Sequence, residues 1–312
     1  PESIKPKKTD QKALVIGSGP SGLECTMQLA RRGYHVTLAE ADNKLGGRVL
    51  FESGLKGLSA WKRVSDNRIY EIQQKNNIEI YKESELTLSH INELGINNIF
   101  LATGSSWRKD GVGRSRRKPV QGLESLQVLT PEEAIKQSLN LSGPIVVYDD
   151  EQGYLAGVIA DHLSFDEHEV IFITPASVVS PWTESTLEQK RIQKALLVSG
   201  VNVICNKTID KAEGSNLNLK CVFTGEISLL KCSSLVMVTE RIPNTTLYDQ
   251  LVEQENTTEQ GEAKHIQLIG DAESPGLIAD AVFLGHLAAQ SFEEPEQEIQ
   301  KAMFMREMPS LK

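Results

Sequence analysis

Four cysteines in 312 residues are too few and too scattered for cysteine chemistry. Cys25, Cys205, Cys221 and Cys232 form no CxxC pair, which removes the dithiol–disulfide reductases. They also lack the spacing of an iron–sulfur or zinc site. Such a sparse set fits a reducing, cytoplasmic compartment. Positive charge is short as well. Lys and Arg number 33 against 42 Asp and Glu, and the net charge of -9 argues against nucleic acid or an anionic membrane as main partner. No apolar run approaches the ~20 residues that a membrane helix needs. The polar opening PESIKPKKTDQ has no leader pattern, and the start at Pro1 suits a fragment and a processed initiator Met equally. Neither His162 nor His168 stands with a serine or cysteine in a triad pattern.

What is present begins with glycine. Residues 13–17, ALVIG, read as a short buried strand, and GSGPSG (17–22) leads into LECTMQLARRG, a helix with Leu23, Met27 and Ala30 facing a sheet. Gly33 ends that helix, and YHVTLAE closes on Glu40 as a second strand. This is GxGxxG in its strand–turn–helix context, with an acid at the end of the next strand. Gly17 permits the tight turn, Gly19 lets the backbone approach a pyrophosphate, and Gly22 lets helix pack on strand. The helix start, Pro20-Ser21, presents N–H groups and a positive dipole end to phosphate. Glu40, followed by Ala41, can accept both ribose hydroxyl hydrogens and repels a 2′-phosphate. ADP, FAD or NAD is therefore favoured over NADP.

Further motifs follow in order. Gly46-Gly47 gives another tight passage, and Arg48 can reach a phosphate or stack on adenine, or stand as a surface arginine. NNIFLATGSSWR (97–108) is a strand running into Thr103-Gly104. HIQLIGDAESPG carries Gly270-Asp271 between a buried strand and a helix from about Gly276. Asp271 can bond a ribose or ribityl hydroxyl, or cap a turn.

Residues 141–234 have a second strand–helix pattern: GPIVVYDD, LAGVIADHLSFD, HEVIFITP, then TLEQKRIQKALLVSG with Leu187, Ile192, Leu196 and Leu197 on an apolar side. Its turn carries carboxylates. Gly17 and Gly19 have counterparts at about Asp149 and Glu151, with Asp150 between them. Carboxylates beside a desolvated pyrophosphate cost several kcal/mol, and their β-carbons block close backbone approach. The expectation is a domain that keeps the shape and has lost NAD(P)H binding. An acidic run is usually a solvated loop, and no metal site is expected. Arg241 of TERIPN can hold the return passage or form a surface salt bridge. Trp61 and Trp107 lie near nucleotide-side loops, with core roles favoured. The basic stretch 107–119 suits a mobile loop or a contact with an acidic electron-transfer partner. The tail PEQEIQKAMFMRE is amphipathic.

These pieces in this order resemble the flavoproteins with two dinucleotide-binding domains. GYHVTLAEADNKLGGRV, GLSAWKRVSDNR, FLATGSSWRKDGVGR, VLTPEEA and LIGDAESPGLIADAVFLGH are closely similar to one family. It comprises trimethylamine, dimethylamine and histamine dehydrogenases and related N-demethylases, with 2,4-dienoyl-CoA reductase more distant. The resemblance runs from about Lys12 to Glu307. It implies an α/β fold of two Rossmann-like three-layer domains of the disulfide-reductase-like FAD/NAD(P)-binding type. Residues 1–11 would be a linker, 12–140 with 235–312 the FAD/ADP-binding domain, and 141–234 the insert. It further implies ADP or FAD in this chain, held by Gly17, Gly19, Pro20, Ser21, Gly22, Glu40, Ala41, Gly47, Arg48, Thr103, Gly104, Gly270 and Asp271. In that family FMN sits in a (β/α)8 barrel beside a [4Fe–4S] cluster, and both would lie in a portion outside this sequence. No catalytic residue is then expected here. The implied partners are the barrel portion and an electron-transfer flavoprotein, and a homo-oligomer is compatible. The competing reading is a free-standing FAD-dependent NADH oxidoreductase. A purely structural module is a third.

Overall fold

The computed structural model describes residues 6–7, 9–136, 141, 143–165, 168–257 and 264–294. The chain divides into two compact units. One is Pro1–Ser53, Ala60–Ser105 and Pro243–Lys312, and the other is Gly54–Ser59 and Ser106–Ile242.

The first unit is built on a parallel sheet of β1 (Lys12–Ile16), β2 (His35–Ala39), β3 (Ile78–Tyr81), β4 (Asn98–Leu101) and β15 (His265–Leu268). Their order is β15-β4-β1-β2-β3. Alternation along β1 splits the core between the sheet faces. Ala13 and Val15 join Leu23 and Leu29 of α1 (Pro20–Arg32) and Ala288 of α9 (Ile278–Ser291). Leu14 and Ile16 join Ile91 of α4 (Leu88–Leu94) and Leu251 of α8 (Thr246–Thr257). Helices therefore cover both faces, the arrangement that a buried parallel sheet requires.

Helix α1 starts at Pro20 and ends at Gly33, whose φ of 109° is open to glycine at little cost. There the Gly33 N–H donates to Ala30 O (3.1 Å) and the Tyr34 N–H to Leu29 O (3.2 Å). Leu23 and Leu29 are fully buried, each contributing about 1.5–3 kcal/mol. Leu23, Met27 and Ala30 face inward as expected, but Glu24 and Gln28 are buried too. The cause is that α1 lies between α9 and α3 (Lys62–Gln73). Glu24 meets Gln28 Nε2 (2.6 Å), Arg68 Nε of α3 (2.6 Å) and His286 Nδ1 of α9 (2.9 Å). Burial pushes the Glu24 carboxyl up, but His286, Gln28 and Arg68 more than offset it and hold it at about 2. Between β2 and α3 lies the short α2 (Arg48–Glu52).

β5 (Ser105–Trp107) and β14 (Arg241–Pro243) carry the chain out of the first unit and back. The second unit holds β6 (Gln127–Leu129), β7 (Ile145–Asp149), β8 (Val170–Ile173), β9 (Asn202–Ile204) and β13 (Ser234–Val238), parallel in the order β6-β13-β7-β8-β9. An antiparallel meander of β10 (Lys207–Glu213), β11 (Asn216–Cys221) and β12 (Ile227–Lys231) packs Ile209, Leu217 and Leu219 with Val146, Tyr148 and Met237 of the parallel sheet. Its helices are α5 (Pro131–Lys136), α6 (Leu155–Ser164) and α7 (Gln189–Val198).

Several expectations change. The second unit is wider than 141–234 because β6 pairs with β13 and the Ala212 N–H donates to Gln121 O (2.8 Å). Lys7, expected in a linker, donates its N–H to Arg32 O (2.6 Å). On α7 only Ile192 and Leu196 of the expected apolar side are buried. Leu187 is 90% exposed at φ 62°, before the helix begins, and Leu197 is exposed. The amphipathic tail lies outside the described residues.

Candidate nucleotide site

A cavity of about 590 Å³ opens at the C-terminal ends of β1, β2 and β4, where an open α/β sheet binds ligands. Its floor is the turn between β1 and α1. Gly17 has φ 99°, and a β-carbon there would overlap the carbonyl oxygen of Ala102. Gly22 packs on Gly17 O in the same way. Gly19 is different: a β-carbon there would meet nothing within 4 Å, because it would enter the cavity. Gly19 caps α1 without a side-chain bond, and the first helical turn holds no acid. The first-turn N–H groups of a helix have no intrahelical acceptor, so this end attracts an anion.

Glu40 stands on the far wall, mostly buried. Its Oε2 accepts from Ser18 N–H (2.7 Å) and Ser18 Oγ (2.5 Å), and its Oε1 from Asp42 N–H (2.9 Å). The carboxylate is thus fixed by the glycine turn itself. Thr103 Oγ1 donates to Asn244 O (2.7 Å), and Asn244 Nδ2 donates back to Thr103 O (3.0 Å). At the other end Asp271 Oδ2 accepts from Ser105 Oγ (3.0 Å) and lies 3.5 Å from Arg48 Nη1. Asp271 Oδ1 accepts from Gly276 N–H (3.1 Å). Arg48 Nε is 2.7 Å from Oε1 of buried Glu52. Charged lining residues are Glu40, Asp42, Glu85, Asp271 and Arg48, so attraction for phosphate rests on the α1 N-terminus and Arg48.

Of the expected residues, Gly17, Gly19, Pro20, Ser21, Glu40, Ala41, Gly47, Arg48, Thr103, Gly104 and Asp271 line this cavity. Gly22 and Gly270 lie behind it, against Gly17 and Ser21. Sequence reasoning missed Ser18, Ser105, Asn244 and Glu52. Glu52 had a signal, its i,i+4 spacing from Arg48. Ser18 and Asn244 bond partners far along the chain, Glu40 and Thr103, and left none. Trp61 and Trp107 do not line the cavity; Trp107 is buried under Arg241, whose guanidinium carbon lies 5.2 Å from the ring centre.

The second turn is not a solvated loop. Asp149 and Asp150 are fully buried. Asp149 is the last residue of β7, so it matches Ile16 rather than Gly17, and residues 150–154 replace the shorter turn 17–19. Asp149 Oδ1 accepts from Gln152 N–H (2.7 Å), while its Oδ2 has no partner. Burial pushes the Asp149 carboxyl well up, and nearby Glu151 and Asp150 add to this. Asp150 accepts from Ser115 N–H (2.9 Å) and Ser115 Oγ (2.6 Å). The stretch 107–119 is therefore tied down, with Arg116 Nη1 also donating to Ile209 O (3.1 Å) and Arg114 lying over Trp182. Glu151 lies 3.7 Å from Arg241. Among the described residues no His, Cys, Asp and Glu group could hold a metal ion, all four cysteines are free, and no helix is long and apolar enough to cross a membrane.

The family model for pyridine nucleotide-disulphide oxidoreductases matches residues 11–283. The chain belongs to the pyridine nucleotide-disulphide oxidoreductase family. Within it, the chain is similar to dimethylamine dehydrogenase of Hyphomicrobium sp., 29% identical over 96% of this chain and 44% of that protein. Among solved structures it is similar to histamine dehydrogenase from Rhizobium sp. 4-9, with 39% identity, TM-score 0.91, and 95% of this chain and 46% of that one covered. It is also similar to 6-hydroxypseudooxynicotine amine oxidase from Pseudomonas geniculata N1, with 33% identity, TM-score 0.89, and 94% and 44% covered. The chain thus spans less than half the length of these relatives. This oxidoreductase fold, with its two nucleotide-domain patterns, agrees with the resemblance read from the sequence.

Proposed function

We propose that this chain is the adenine-nucleotide-binding portion of a flavin-dependent amine dehydrogenase or N-demethylase. The observation that carries this is the open face of Gly19 at the α1 N-terminus, within one cavity with Glu40 and Arg48. A diphosphate fits that seat, since a β-carbon there would occupy the space a phosphate needs. The α1 N–H groups and Arg48 would hold the phosphates, and Glu40 would accept from ribose hydroxyls through lone pairs that Ser18 and Asp42 leave open. The ligand is ADP or FAD. Asp271, engaged by Ser105, Arg48 and Gly276, keeps lone pairs for a further hydroxyl as Glu40 does, so the preference for ADP rests on the resemblance to the amine dehydrogenases.

In this reading FMN and a [4Fe–4S] cluster belong to a barrel portion of the longer assembly, where FMN would accept electrons from the amine. Residues of this chain bind and position nucleotide and perform no chemical step. An electron-transfer flavoprotein is the partner that such chemistry calls for, and the free cysteines support a reducing, cytoplasmic setting. Mass spectrometry of the nucleotide released from purified protein, with a visible spectrum, tests this. Colourless protein releasing ADP is expected. Bound yellow FAD overturns the ADP assignment, and no bound nucleotide with no affinity for added ADP overturns the site.

The second reading, a free-standing NADH oxidoreductase, needs a working pyrophosphate seat in the second unit. Buried Asp149 and Asp150 oppose it. NADH oxidation by the chain with added FAD and an artificial acceptor would reinstate it.

A further inference from the structure

Glu40 is held along its whole length. Its backbone N–H donates to Tyr81 O (2.8 Å), and its carbonyl oxygen accepts from Ser84 N–H (2.8 Å). Its carboxylate accepts from three donors among the described residues, and they are unevenly shared. Oε2 takes both the N–H and the hydroxyl of Ser18, while Oε1 takes only the Asp42 N–H. Ser18 is fully buried and anchored in turn. The Gly46 N–H donates to its carbonyl oxygen (3.0 Å) and to its Oγ (3.3 Å). The single hydrogen of that hydroxyl is therefore committed to Glu40. This serine ties the glycine turn, the end of β2 and the passage at Gly46 together, all within the first unit.

A carboxylate offers about four lone-pair directions, two on each oxygen. The two Ser18 donors use both on Oε2, and Asp42 uses one on Oε1. One remains, on Oε1. A ribose presents two neighbouring hydroxyls, and an unencumbered acid at this strand end would take both. We infer that Glu40 accepts from one ribose hydroxyl rather than two, through Oε1, and that Ser18 sets this selectivity by occupying Oε2. Ser18 is a positioning residue, acting on the sugar through Glu40. This narrows the ribose contact in the proposed function and rests on that reading.

The test uses the whole chain and titration calorimetry with ADP, 2′-deoxy-ADP and 3′-deoxy-ADP. One deoxy analogue should bind about tenfold or more weakly than ADP, the scale of one hydrogen bond to a charged group, and the other should stay within about twofold of ADP. Equal losses for the two analogues overturn the inference, and so does no loss for either. Ser18→Ala removes one oxygen and keeps the bonds of the Ser18 backbone. It opens a lone pair on Oε2 and lets the carboxylate turn, so the ratio between the two analogues should fall by about threefold or more. An unchanged ratio, with all three ligands weakened alike, leaves Ser18 a merely structural part and overturns its role. The wild-type series needs no variant, so it decides the single-hydroxyl reading even where Ser18→Ala fails to fold. Failure of the wild-type chain to bind ADP overturns the nucleotide site instead, whereas ADP binding with equal deoxy losses overturns this inference alone.

Discussion

Replacing Gly19 by alanine should separate nucleotide binding from folding. The residue has φ -64° and ψ 178°, an extended conformation open to any L-residue. The added methyl meets no protein atom within 4 Å, so the fold has nothing to repair. Alanine also narrows the unfolded ensemble, which stabilises by about 0.4–1 kcal/mol. Binding should respond oppositely. The methyl stands where the diphosphate must approach the α1 N–H groups, and pushing it away loses about one charged hydrogen bond, worth about 1.5–3 kcal/mol. At about 1.4 kcal/mol per tenfold, ADP affinity should fall roughly tenfold to a hundredfold. The neighbouring glycines supply the control. Gly22→Ala drives a β-carbon into the Gly17 carbonyl, and Gly17→Ala combines φ 99° with the Ala102 carbonyl, so each should cost about 1–3 kcal/mol or more of stability. Calorimetric ADP titration and thermal unfolding of the three variants decide it. Wild-type ADP affinity in Gly19→Ala, or unfolding as early as in Gly22→Ala, refutes the placing of phosphate at this turn.

Glu24→Gln should destabilise at pH 7 by up to about 3 kcal/mol, from a carboxyl lowered from 4.5 to about 2. The difference in urea unfolding should shrink as pH falls from about 4.5 towards 2, because a lowered folded pKa gives stability above the unfolded value and loses it on acidification; a pH-independent difference refutes it. Asp149→Asn should act in the opposite sense. A raised folded pKa costs stability as pH climbs past the ordinary 3.8, so the variant should gain on wild type from pH 4 to 8, while ADP affinity stays unchanged. His265 packs between Phe100 and Phe292, and burial lowers its pKa despite the Gln267 bond. Stability should therefore fall as pH drops below the ordinary 6.5, and His265→Phe should flatten that slope in thermal unfolding.

The parts of this site that were legible in sequence are those where backbone geometry demands a residue type. Gly17, Gly19 and Gly22 each answer a separate steric need, and all three stand where the spacing puts them. Glu40 was legible as an acid at a strand end. Its three donors from Ser18 and Asp42 were not, since they depend on a turn folding back across 22 residues. The boundary at Ser106 was hidden for a related reason. Strand β6 has three residues and no periodicity of its own, and only pairing with β13 over a hundred residues later assigns it. Charge misled most at YDDEQG. A run of three acids reads as solvated, because burying a carboxylate is costly. The structure offsets that cost unevenly. Asp150 is covered by Ser115 from a loop that sequence reading left mobile, Glu151 approaches Arg241, and Asp149 keeps one oxygen without a partner. A buried acid with an unpaired oxygen is most stable protonated, and a neutral acid there would no longer repel a phosphate electrostatically. If this second turn is closed to a pyrophosphate, as we propose, closure then rests on shape: the longer loop 150–154, bonded to Ser115, stands in place of the short turn at Gly19. Removing charge alone, as in Asp149→Asn, should therefore not create NADH binding in titration calorimetry, and measurable affinity in that variant would return the closure to electrostatics.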